Sequence, residues 1–174
     1  MNYSKKDIKE SLEARANALR NQIIQFQIAK PEELIGCSDK EIEALEKACG
    51  LILPYSYKVF LKNFGHSFGG VADDVEFLYQ DVFPLTKIAR EILQYEKSPV
   101  LPQSAFVFTM RYEEQFFFFE VEEGIENPPI FYYMEGDKSF SKKYGSIFDL
   151  WEGEVKLEKE ILVRRQERYK SESE

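Results

Sequence analysis

Residues Gly36 to Gly65, GCSDKEIEALEKACGLILPYSYKVFLKNFG, hold two helix starts and two helix ends in one continuous run. Ser38-Asp39-Lys40-Glu41 has the form of a capping box. In that motif the Ser38 hydroxyl accepts from the Glu41 N–H, and the Glu41 carboxylate reaches back to the N–H of Ser38. Cys37 and Ile42 then occupy the two staple positions. Ile42, Leu45, Ala48 and Cys49 recur at helical spacing, and Gly50 supplies the left-handed residue that ends a helix over 39–49. Pro54 suits the start of a second helix, because its missing N–H costs nothing there. Tyr57, Phe60, Leu61 and Phe64 form its apolar face, and Gly65 closes it.

Outward from this pair, Ile8, Leu12, Ala16, Leu19, Ile23 and Phe26 predict an amphipathic N-terminal helix within residues 1–30, stopping before Pro31. His66-Ser67-Phe68-Gly69-Gly70 reads as a loop. It lacks the spacing and the lysine of a phosphate-binding loop. Val75 to Tyr79 and Val82-Phe83 read as short strands, followed by a helix over 85–96. Three further strands are predicted at Ala105–Arg111, Glu114–Glu122 and Ile130–Met134. The short Tyr112-Glu113 connection implies that the first two are antiparallel. A helix over 146–162 then leads into a charged tail, residues 163–174. The fold class is α+β: a twisted, antiparallel-rich sheet packed by several helices, with 31–162 as one domain.

Alternation along the middle strand puts Phe117, Phe119 and Val121 on one face and Phe116, Phe118, Glu120 and Glu122 on the other. Two readings stay open. The strand is covered on both sides at its start and exposed at its end, or the mixed face lines a partner groove with Phe116 and Phe118 as its aromatic anchor.

The motif set Gly36-Cys37-Ser38, Glu41-Ile42, Leu45-Glu46, Gly50, Leu53-Pro54, Tyr57, Phe60-Leu61 and Gly65 resembles the opening of the SUKH superfamily, the Smi/Knr-type domains. Gln115 to Phe119, Asn127 to Tyr133, Ser139-Phe140, Phe148 and Leu150 continue the likeness over roughly 34–151. The resemblance implies a non-enzymatic protein-binding module. It implies most often a bacterial immunity protein that binds and neutralises a cognate toxin. The alternative it implies is a regulatory or scaffolding protein of the cell-wall-regulator type. It carries over no catalytic residue and no cofactor.

Composition sets bounds on function. With 44% hydrophobic and 15% aromatic residues in 174, the chain can bury one core rich in rings. No stretch approaches the roughly 20 apolar residues of a membrane span, so a cytoplasmic protein is expected. Cys37 and Cys49 lack zinc spacing. A helix over 39–49 would hold them about 18 Å apart, too far for a disulfide, and both are expected as free, packing thiols. His66 is the only histidine and has no nucleophile motif beside it. Asp73-Asp74-Val75-Glu76 lacks the spacing of a calcium loop, so no metal site is expected.

The net charge of −8 is concentrated: between His66 and Asp137, 14 Asp and Glu stand against 4 Lys and Arg. Such a surface does not suit direct nucleic-acid binding, which needs basic residues, and it complements a basic protein. The candidate partner-binding residues are therefore Asp73, Asp74, Glu76, Glu113, Glu114, Glu120, Glu122 and Glu123. The partner expected is a basic toxin domain such as a nuclease, because nuclease clefts are basic.

Overall fold

The structure is a computed structural model and describes residues 4–97 and 99–172. It opens with α1 (Lys5–Gln25), a 3₁₀ turn (Pro31–Glu33) and β1 (Leu34–Ile35). Next come α2 (Asp39–Cys49), α3 (Tyr55–Phe64), β2 (Ser67–Phe68) and α4 (Val82–Glu96). The second half holds β3 (Ala105–Arg111), β4 (Gln115–Glu120), β5 (Ile130–Met134), β6 (Ser141–Tyr144) and α5 (Ile147–Glu172). β1 and β2 form a small antiparallel pair, and β3-β4-β5-β6 form an antiparallel sheet in chain order. The α+β expectation holds.

The helical pair forms as its punctuation requires. Ser38 caps α2, with the Glu41 N–H donating to Ser38 Oγ at 3.4 Å and the Ser38 N–H donating to Glu41 Oε2 at 2.8 Å. Gly50 takes the left-handed conformation, φ 68°. Pro54 stands one residue earlier than expected, as the N-cap of α3. Glu46 fixes the corner between the two helices, since its Oε1 accepts from the Leu53 N–H at 2.8 Å and pairs with Lys58 at 2.6 Å. The strand side of this unit is equally tight. The Cys37 N–H donates to Leu61 O at 2.8 Å, and a Cβ on Gly36 would fall 1.7 Å from Lys62 O.

α1 buries Leu12, Ala16, Leu19 and Ile23 against α3 and α5. Arg15 joins it to α5 through Asp149 (2.8 Å) and Glu152 (2.7 Å), and Arg20 donates to the carbonyls of Pro31 and Leu34. Between α3 and the sheet the core is mostly rings. Tyr57 lies 5.3 to 5.9 Å from Phe106, Phe108 and Phe119, and Trp151 of α5 stacks on Phe60 at 5.1 Å.

Several expectations need correction. Val75–Tyr79 is not a strand: Glu76 alone makes an isolated bridge, to Met110, and Phe77 is buried in irregular chain. Val82-Phe83 is the first turn of α4. A short apolar run fits strand and helix alike, and here tertiary contacts decide. The two-residue strands β1 and β2 and the largely exposed β6, with sequence SKKY, offered no alternation to read. α5 continues through the charged segment to Glu172, helped by the i,i+4 pair Glu160–Arg164.

The edge of the sheet at β3 is covered. The Val107 N–H donates to Thr86 Oγ1 of α4 at 3.0 Å, and Met110 and Glu76 exchange both backbone hydrogen bonds at 2.8 and 2.9 Å. The Ala105 N–H donates to Pro102 O.

Candidate functional site: an acidic groove beside the β3–β4 turn

The Glu76–Met110 bridge brings the segment after β2 against the β3–β4 turn, residues far apart in the chain. Asp73, Asp74, Glu76 and Glu113 then share one groove of about 780 Å³, with Asp81 as a fifth carboxylate and Phe68, Val71 and Phe77 as its floor. No Lys or Arg lines it among the described residues. Arg111 stands beside it and bonds Asp74 Oδ1 at 3.0 Å, an exposed pair that neutralises little.

The eight sequence-predicted residues separate into two patches. Asp73, Asp74, Glu76 and Glu113 line the groove, with Glu114 exposed beside the turn. Glu120, Glu122 and Glu123 follow the other end of β4, five residues or about 17 Å along an extended strand from Gln115. Glu120 there accepts from Ser104 Oγ at 3.2 Å. Asp81 was missed because nothing in its local sequence marks it, and only the fold brings it to Glu113.

The expected aromatic anchor is overturned. Phe116 and Phe118 are each 1% exposed, packed with Tyr133, Phe131 and Phe140. The strand is covered on both sides near its start, as the first of the two readings had it. The exposed aromatic residue on the groove is instead Tyr112, 72% exposed, above the buried Phe68 and Phe77. Tyr112 and Glu113 have φ of 53° and 58°, the two positive values of a type I′ turn, and the Glu114 N–H closes it onto Arg111 O. Such turns favour Asn and Gly. Holding Tyr and Glu there costs energy, a pattern that clusters at functional sites.

At the N-terminal end of α2, Cys37 Sγ, a Glu41 oxygen and a His66 ring nitrogen lie within 4.8 Å of one another. These groups already have structural tasks. The Glu41 carboxylate takes bonds from the Ser38 N–H and hydroxyl and from His66 Nε2 (2.9 Å), and those bonds hold its pKa down at about 2. Burial pushes the Cys37 thiol up to about 11, away from the thiolate a metal needs. Cys37 and Cys49 are both free thiols.

The profile of the SMI1 / KNR4 family (SUKH-1) matches residues 36–153. The chain belongs to this family. The match covers α2 to the first turns of α5, including the capped helical pair, the acidic groove and the whole four-stranded sheet, and leaves α1 outside it. SUKH domains are protein-binding or immunity-type modules and are generally non-catalytic. A search of curated proteins finds no match. No helix among the described residues is long and apolar enough to cross a membrane.

Proposed function

We propose that this SUKH domain is a cytoplasmic immunity protein that binds and neutralises a basic toxin domain, such as a nuclease, across the acidic groove. One observation carries the reading: five carboxylates, Asp73, Asp74, Glu76, Asp81 and Glu113, border a single groove with an exposed tyrosine on its rim. Charge of one sign in a concave site steers an oppositely charged partner, and a ring held on a rigid turn is a suitable anchor once contact is made. The same charge opposes phosphate, so the ligand is a protein and not nucleic acid.

The test is association kinetics with a basic toxin domain sought among the genes flanking this one, where the immunity reading expects it. Reversing Asp73, Asp74 and Glu76 together to Lys should slow association about tenfold at low salt and flatten its salt dependence. Tyr112→Ala should leave association unchanged and speed dissociation about 30-fold. Unchanged kinetics in both variants would remove the groove as the docking site. Failure of the wild-type chain to bind or inhibit that toxin would remove the immunity reading in favour of the regulatory one.

A further inference from the structure

A second hollow, about 260 Å³, lies between α5 and the inner face of β3 to β6 beside the β3–β4 turn, with Trp151, at the margin of the aromatic core, in its wall. Its wall is chemically unlike the rest of the interior. Four buried side-chain polar atoms have no hydrogen-bond partner among the described residues, and three of them, Thr109 Oγ1, Arg111 Nε and Trp151 Nε1, belong to residues of this wall. Thr109 and Trp151 are each 1% exposed. A buried polar group without a partner is costly, so three at one cavity call for acceptors from outside the chain.

The wall also states what that molecule must be. The indole N–H and the guanidinium N–H only donate, and the Thr109 hydroxyl donates as readily as it accepts. Lys143 adds a second cation, its Nζ 5.2 Å from the Tyr132 ring centre. Opposite these donors stand rings: Phe117 lies 4.8 Å from Tyr132 and 6.0 Å from Tyr144. Glu154 is the one carboxylate in the wall, and burial raises its pKa. The volume is just under the roughly 300 to 1,000 Å³ of drug-sized sites, which selects a small ligand.

We propose that this cavity binds a small aromatic carboxylate, its oxygens taken by Arg111, Thr109 and Trp151 and its ring set against Phe117 and Tyr144. The site adjoins the acidic groove, with Val75 in both walls and the Arg111–Asp74 pair between them, and does not depend on the identity of the protein partner.

Trp151 is the only tryptophan in the chain, so its fluorescence reads the cavity directly. Benzoate and phenylacetate, titrated to about 10 mM, should change that emission saturably, whereas benzyl alcohol and benzylamine should not. Thr109→Val should weaken binding about tenfold and leave the melting temperature equal or higher, because it removes an unpartnered buried hydroxyl. Arg111→Met should weaken it further. Glu10→Lys, on the exposed face of α1, should leave it unchanged. The absence of saturation with either acid, equal binding of acid and alcohol, or unaltered affinity in Thr109→Val would overturn the proposal. Thr109→Val keeps the test decisive even where loss of Arg111 disturbs the fold.

Discussion

The helical pair from Gly36 to Phe64 and the acidic segment from Gly69 to Asp81 are neighbours in the chain and reach the same rings, yet they are held in opposite ways. In the first, backbone meets backbone: Cys37 bonds Leu61 O, and Gly36 lies against Lys62 O with no room for a methyl group. In the second, Phe77 is sunk into the core while Asp73, Asp74 and Glu76 turn outward, with one bridge to Met110 fixing the position. One region therefore carries stability and the other carries charge. The two can be altered separately.

The sharpest way to break this contrast is at two glycines. Gly36→Ala should cost about 3 kcal/mol in chemical denaturation, because the added Cβ meets a backbone carbonyl that cannot retreat. Gly70, at φ 83° with open space around it, should lose only about 1 kcal/mol on the same change, from backbone strain alone. Comparable losses at both sites would show that the acidic segment is as tightly determined as the helical pair. Ser38→Ala should cost about 1 kcal/mol through loss of the α2 cap.

The remainder of the capping box shows itself in acid. Hydrogen bonds from Ser38, and then from His66, lower the folded-state pKa of Glu41 to about 2 from an ordinary 4.5. A depressed carboxyl contributes stability that is full above the unfolded value and is lost as pH falls through the folded one. Glu41→Gln should thus flatten the stability profile between about pH 4.5 and 2 relative to wild type. Identical profiles would mean that the box does not hold in solution. The smallest effect belongs to the groove: the triple reversal of Asp73, Asp74 and Glu76 should change stability by about 0.5 kcal/mol or less, since Asp74 gives up only an exposed ion pair.

What the sequence disclosed follows the range of the forces involved. α2 and α3 were readable because their caps and apolar faces are local, and β3 to β5 because a two-residue turn and alternation are local too. The start of α4 was not, since Val82 and Phe83 favour strand and helix equally until Leu85 and Ala89 find the core. Four of the eight candidate carboxylates meet in the groove through the Glu76–Met110 bridge, a pairing no local pattern announces. The cavity was hidden for the same reason. Thr109 and Arg111 stand out as polar residues in an apolar strand, but their meeting with Trp151 needs α5 in place.

The covered edge of β3 has a consequence for isotope exchange. An outermost strand ordinarily surrenders every second amide proton to solvent within minutes, but those of Val107 and Met110 are held by Thr86 and Glu76. In heavy water both should retain their protons as long as amides of the central strand β4, and no incoming peptide can extend the sheet on that side without first displacing the segment that carries Glu76.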